Sequence, residues 1–236
     1  MIIGFDRPLR PEWIYETLLL VKPKQKIKDL SGPFENIARE LTGKRGKANT
    51  RKVLVRCFIR DEQDKTVARE KNPLKELTEE HDLNFMLPIY LFYMIGRMNI
   101  LFYISEHIIR LYDFGKEINL PFLKQKIVER FGERDVVIRS TGAFIKTLAY
   151  FKVVRQEDKK SYLAKRLKVN EEQTCIILKL YSRDILKSPQ LNINALPPAL
   201  FNYFELGDLR QIAQKYNGQC WDYQHRMNDD FLLMKG

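Results

Sequence analysis

Residues 134–169 read RDVVIRSTGAFIKTLAYFKVVRQEDKKSYLAKRLKV, and this stretch decides the predicted fold. Ser140 and Thr141 are residue types that favour a helix N-cap, so the sequence predicts an extended piece, a cap and a helix with Phe144 and Leu148 on its inner face. Two β-prone runs follow, joined by the polar sequence QEDKK, which is the pattern of a β-hairpin. A capped helix followed by a basic hairpin is typical of a winged helix.

A second unit of similar order lies upstream. The sequence FENIARELTG predicts a short helix that ends at Gly43, followed by a basic turn and a second helix that begins at Thr50. The stretch 43–60, GKRGKANTRKVLVRCFIR, contains seven Lys or Arg and no acid. This order is that of a helix-turn-helix. The two units are either two copies of one supersecondary plan or two helices that obey ordinary capping rules.

The most apolar segment is Phe85 to Ile104, FMLPIYLFYMIGRMNILFYI. About 20 residues suffice to span a bilayer, but this segment contains Pro88, Arg97 and Asn99, and a charge near the middle of a span is costly. We therefore expect a pair of core helices here and no membrane partner.

The whole pattern predicts a mainly α protein, a helical bundle with two helix-turn-helix or winged-helix-like units and short β-hairpins. Three segments are expected. Residues 1–70 form an N-terminal helix-turn-helix-like unit, and residues 71–169 form a central helical core with the winged-helix-like unit. Residues 170–236 form a C-terminal helical unit that ends in a hairpin at CWDYQHRMNDDFLLMK.

The charge is distributed unevenly along the chain. The 236 residues contain 41 Lys and Arg against 30 Asp and Glu, a net charge of +11. Residues 170–236 contain seven Lys or Arg and eight Asp or Glu, so this segment is −1 and residues 1–169 carry +12. An excess of basic residues of this size favours nucleic acid or an anionic membrane as partner. The basic surface therefore belongs to the two helix-turn-helix-like units.

No pattern typical of an enzyme is evident. The three histidines lack metal-ligand spacing, and glycine-rich phosphate loops and nucleophile elbows are missing, so no cofactor and no metal are expected. Glu157, Lys159 and Asp135 resemble the acid and E-x-K arrangement of some nucleases, but the E-x-K falls in a hairpin tip, which favours a solvated turn. The three cysteines are far apart and form no C-x-x-C pair, and the N-terminus has no secretory signal, so a cytoplasmic location is expected.

The candidate nucleic-acid contacts share a basic, hydroxyl or aromatic side chain on the predicted outer faces of the two units. Phosphate contacts by Lys and Arg supply affinity, and capped helices present side chains to the groove edges. The candidates are Lys44, Arg45, Lys47, Arg51, Lys52, Arg56, Arg139, Ser140, Lys146, Tyr150, Lys159, Lys160, Lys165 and Arg166.

Three sequences, WIYETLLL, NTRKVLVRCF and RSTGAFIKTLAYFKVV, resemble the BrxA-like proteins of bacterial phage-exclusion (BREX) defence systems. The resemblance covers roughly Trp13 to Lys168. It implies an all-helical accessory protein that binds double-stranded DNA beside a methyltransferase and ATPases, with no catalysis of its own. Two other interpretations stay open from the residues alone: an RNA-binding helical protein, and an adaptor whose winged helices bind other proteins.

Overall fold

The structure, a computed structural model, describes residues 4–235. Within that range it is mainly α-helical, with short strands in small sheets, as predicted. The helices are α1 Pro11–Leu20, α2 Ser31–Ile37, α3 Lys44–Phe58, α4 Pro73–Glu80, α5 Leu83–Arg97, α6 Asn99–Leu111, α7 Leu120–Phe131, α8 Asp135–Tyr150, α9 Glu171–Leu180, α10 Pro198–Phe201 and α11 Leu209–Lys215. The strands are β1 Val154–Glu157, β2 Lys160–Leu163, β3 Leu167–Lys168, β4 Gln190–Asn192, β5 Phe204–Glu205, β6 Trp221–Arg226 and β7 Asp229–Met234.

The central unit has the element order of a winged helix. Helix α6 is followed by a short extended segment, then α7, α8 and the antiparallel hairpin of β1 and β2. The extended segment joins the hairpin through a bridge between Glu117 and Tyr162. The hairpin turns at Asp158 and Lys159, which both have positive φ, as a tight two-residue turn requires. The predicted hairpin is therefore confirmed, and the extended segment lies beside it through this single bridge.

Helix α8 begins earlier than predicted. It runs unbroken from Asp135, and Ser140 lies within it and is fully buried. The Ser140 hydroxyl donates to the carbonyl of Val136 at 2.6 Å, which is how serine satisfies its side chain inside a helix. The prediction of a cap at Ser140 and Thr141 is wrong, because the apolar period that begins at Val137 continues the helix through both residues.

The boundaries of α2 and α3 also differ from the prediction. Helix α2 ends at Ile37, and Gly43 adopts a φ of 81° directly before α3. Helix α3 begins at Lys44, so the predicted basic turn forms the first two turns of this helix. Lys, Arg and Ala are good helix formers, and a glycine with positive φ allows the chain to change direction before them.

Helices α5 and α6 form the centre of the protein. Residues 88–95 of α5 are fully buried, and α5 and α6 meet at an angle of 107°. The prediction of two core helices is confirmed. Among residues 4–235 no single helix has the length and hydropathy of a membrane span, although this bent pair passes the same test together.

An N-terminal segment, residues 4–9, packs against α8. The backbone N–H of Leu9 donates to Thr147 Oγ1 at 3.0 Å. The Phe5 ring packs edge-on against Phe144, with ring centroids 6.3 Å apart. Both phenylalanines and Leu9 are fully buried. One side of α8 is therefore covered by a segment that lies 138 residues earlier in the chain.

The C-terminal segment closes on a three-stranded sheet in the order β4, β7, β6, so the predicted closing hairpin is confirmed. The Ser105 hydroxyl on α6 donates to Tyr203 Oη at 3.1 Å, which ties this segment to the centre. Buried side chains from Phe5 to Leu232 belong to one connected core. The three-segment division remains a prediction.

Candidate nucleic-acid interface

The first turn of α3 concentrates positive charge. It contains Lys44, Arg45 and Lys47 and no acidic residue, and the N-cap, Gly43, offers no side chain to the backbone N–H groups. A helix N-terminus carries a partial positive charge of its own, so acids normally stabilise it and cations destabilise it. The first turn of α3 is therefore built as a site that attracts an anion.

The same helix carries basic residues on an open face beyond its first turn. Arg45 and Lys52 are exposed, seven residues apart, so they lie on the same side of the helix. Neither has an acidic partner within 4 Å in the part of the chain that the structure describes. Like charges four residues apart, such as Lys52 and Arg56, repel each other. This face of α3 keeps an uncompensated charge.

Three other predicted contacts on α3 are half-buried and bonded to neutral groups. Lys47 Nζ donates to a backbone carbonyl of α2 at 3.0 Å, and Arg51 donates to the Ser31 hydroxyl. Arg56 Nη1 donates to the carbonyl of Gly4 at 2.5 Å. These bonds hold the side chains in place without neutralising their charges. The three residues therefore add to the positive electrostatic potential around α3 more than they offer direct contacts to a ligand.

Helix α8 has fewer available nucleic-acid contacts than the sequence predicts. Arg139 is exposed but paired with Asp135 at 2.6 Å. Lys146 is exposed and lies 6.0 Å from the centre of the Tyr150 ring, which is half-buried and is also covered by Arg10 at 4.7 Å. Ser140 is fully buried, so its prediction as a nucleic-acid contact is wrong, since the continuous helix turns its side chain toward the core.

Two of the predicted contacts at the hairpin, Lys159 and Lys165, have no acidic partner within 4 Å among residues 4–235. Lys159 lies in the turn with a φ of 64°, and Lys165 follows β2; both are exposed. Lys160 forms an ion pair with Glu117 at 2.9 Å, and this pairing raises its pKa, first through the hydrogen bond and then through the carboxylate charge. Arg166 donates to a backbone carbonyl at 3.0 Å. Among the described residues, the predicted contacts here whose charge no acid neutralises are therefore Lys159, Lys165 and Arg166.

The acids considered for a nuclease site do not come together. Glu157 pairs with Arg155 at 3.3 Å, and Asp135 is held by Arg139. Across residues 4–235, no group of three or more His, Cys, Asp or Glu side chains is placed to hold a metal ion. The remaining acid–base cluster is His225 and Asp230, whose Nδ1 and Oδ1 atoms are 2.9 Å apart on the closing hairpin.

Two arginines that the candidate set omits, Arg60 and Arg97, lie beside the end of α3. Both line a cleft with Arg56. A sequence signal for each exists: Arg60 ends the basic stretch, and Arg97 is a charge within the most apolar segment. A charge in such a segment is expected to have a specific partner, and the sequence alone does not identify that partner.

Comparison of the chain with protein-family models, with curated proteins and with solved structures finds no match. The geometry and charge of α3 and the hairpin therefore carry the functional argument.

Proposed function

We propose that this protein binds double-stranded DNA without catalysing a reaction on it. The observation that carries the proposal is the first turn of α3, which contains three cations and no acid and begins at an uncapped helix N-terminus. The backbone N–H groups and these cations attract the same kind of ligand, an anionic oxygen. A DNA phosphate supplies such oxygens at regular spacing.

The open face of α3 extends this contact along the helix. Arg45 and Lys52 are exposed and unpaired in the described structure, and their mutual repulsion with neighbouring cations is relieved when phosphates bind. Each phosphate that they neutralise releases condensed counterions, which makes the affinity depend on salt. The exposed Lys159 and Lys165 add a second group of phosphate contacts, as the hairpin of a winged helix does.

A double substitution, Arg45→Glu with Lys52→Glu, tests the proposal. Both side chains are exposed, so the variant is expected to fold as the parent does, to bind duplex DNA more weakly, and to reduce the slope of log K against log salt by about 0.9 for each contact removed. The binding constants would be measured by fluorescence anisotropy over a series of salt concentrations. A matched control is Lys179→Glu with Arg226→Glu, which makes the same charge change on an exposed lysine and an exposed arginine of the C-terminal segment, where no candidate contact lies.

The outcome separates the alternatives. Equal loss of affinity and slope in both double variants would assign the effect to net charge alone and contradict a site on α3. The same titration with single-stranded RNA distinguishes a duplex-DNA protein from an RNA-binding one. An absence of binding to either nucleic acid would favour the protein adaptor.

The resemblance to BrxA-like proteins supports a role as an accessory component of a bacterial phage-defence system, in the cytoplasm beside a methyltransferase and an ATPase. The genes that flank this one test that role. A methyltransferase gene and a large ATPase gene as neighbours are the expected result, and an isolated gene behind a palindromic promoter would contradict it.

A further inference from the structure

A cleft of about 560 Å³ opens at the C-terminal end of α3, between the end of α5 and the turn that follows α9. Five cations line it: Arg56, Arg60, Lys65, Arg97 and Lys187. A neighbouring cavity of about 480 Å³ shares Arg97 and Lys187 with it, and adds Arg69 and Tyr93 to the lining. Both volumes lie in the range of ordinary small-ligand sites.

Each acid in the cleft has a partner, and one carboxylate oxygen, Asp184 Oδ2, is buried without one among residues 4–235. Glu62 pairs with Arg97, and its second oxygen lies 3.7 Å from Lys187. Asp184 pairs with Arg183 at 2.8 Å. Asp61, the third acid of the lining, accepts two backbone N–H groups of its own turn, at 2.8 and 3.0 Å. Five cations against three acids leave a net charge of +2 on the lining.

Arg56, Arg60 and Lys65 are the cleft cations without an acid within 4 Å in the described part of the chain, and Arg56 donates to the carbonyl of Gly4. Burial lowers the pKa of the Arg60 guanidinium, and the charge of Arg56 lowers it further. The cations of this cleft are thus crowded together with too few anions among them.

Arg97 of the cleft and Arg69 of the neighbouring cavity also keep unused donors. Arg97 Nε and Arg69 Nη2 are buried and have no hydrogen-bond acceptor among residues 4–235. Buried donors are almost always paired in folded proteins. Arg69 uses its other two nitrogens: Nη1 donates to the Tyr93 hydroxyl at 2.7 Å and Nε donates to the Arg60 carbonyl at 3.2 Å, so its guanidinium is held in a fixed orientation.

We propose that this cleft binds a phosphate-bearing anion, held by Arg60, Lys65 and Arg97. The guanidinium fork of arginine matches the paired oxygens of a phosphate, and an excess of two positive charges suits a dianion. The cleft volume accommodates a phosphorylated small molecule or the phosphorylated end of a nucleic-acid chain, and both present the same phosphoryl oxygens. The inference does not require duplex binding by the open face of α3.

Isothermal titration calorimetry with inorganic pyrophosphate tests the proposal, at constant ionic strength set with chloride. Saturable binding by the parent protein is the expected result, with affinity at least about tenfold weaker in the Arg60→Gln, Lys65→Gln double variant, since two charge-assisted contacts are lost. The control is Lys168→Gln with Lys179→Gln, which removes two exposed charges outside the cleft and is expected to bind as the parent does. Lys65→Gln alone, on an exposed side chain, keeps the test valid if the Arg60 change disturbs folding.

Two further probes identify the source of the phosphate. Tighter binding of ATP than of pyrophosphate indicates a small nucleotide, and tighter binding of a 5′-phosphorylated tetranucleotide than of its unphosphorylated form indicates a chain end. No saturable binding of any of the three probes, or binding that both double variants weaken equally, would overturn the proposal. Since no probe is a duplex, failure here is distinct from failure of DNA binding by α3.

Discussion

Helices α3 and α8 are each the second helix of a helix pair, and the sequence predicts basic outward-facing side chains on both. In the structure they differ. Helix α3 has an open basic face with exposed Arg45 and Lys52, whereas half of the residues of α8 are buried and one side of it is covered by residues 4–9. On α8, Lys146 is exposed without an acidic partner among the described residues, and Arg139 is paired.

The difference shows that two helices with similar sequence patterns can be used differently in one protein, one for core packing and one for surface charge. Helix α8 belongs to the core, because Phe144 and Leu148 are fully buried in it and Thr147 holds the N-terminal segment. Arg45 and Lys52 on α3 keep their charges unpaired among the described residues, and in the proposed function these charges contact the phosphates. Substitutions on α8 should therefore change stability, and outward substitutions on α3 should change binding.

The substitution Phe144→Ala is expected to have the largest effect on stability. This ring is fully buried and packs edge-on against Phe5, so its loss leaves a cavity and should lower the free energy of unfolding by about 3–5 kcal/mol. Denaturation with urea, followed by circular dichroism, measures the change. Lys52→Ala on α3 is the comparison, and its expected result is parental stability with weaker DNA binding. Equal destabilisation by both substitutions would remove the distinction between the two helices.

A smaller effect is expected for Thr147→Val on α8. This substitution keeps the shape of the side chain but removes the acceptor of the Leu9 N–H, and a buried donor without a partner costs about 1–3 kcal/mol.

Thr141→Val on the same helix is its matched control. Thr141 is fully buried, and its Oγ1 has no hydrogen-bond partner within residues 4–235, so this substitution should leave stability unchanged or raise it. Thermal unfolding of the two variants compares them directly. If Thr141→Val destabilises as much as Thr147→Val does, the bond to Leu9 is not what holds the N-terminal segment.

The smallest expected effect depends on pH and concerns α6, which packs under α8. Burial, and then the charge of Arg110, lowers the pKa of His107 below its usual 6.5, while Glu106 and Glu129 oppose this and Lys126 adds to it. The unfolded state therefore binds the proton more readily, so stability is retained above pH 6.5 and falls as the pH decreases below it. The stability of the parent should fall as the pH decreases through about 6.5, and His107→Gln should flatten this part of the curve. An unchanged curve in the variant would assign the acid sensitivity to other groups.

Much of the fold is readable from local sequence patterns. The helices α5 and α6 follow from a long apolar segment with a charge in it, and the hairpins of β1 with β2 and of β6 with β7 follow from β-prone runs on either side of polar turns. The element boundaries were less predictable. Ser140 resembles a cap in sequence, and only the continuation of the apolar period from Val137 places it inside a helix.

The sequence by itself determined that the chain is mainly helical, that its positive charge lies before residue 170, and that the stretch 43–60 carries no acid. These are properties of residue type and spacing, which act over a few residues. Only the tertiary structure decided which charges remain free. The Leu9 bond to Thr147 spans 138 residues, and the pairing of Arg97 with Glu62 spans 35. Partners at such separations are chosen by the packing of the whole core, because no local pattern records which distant side chain will meet a buried donor.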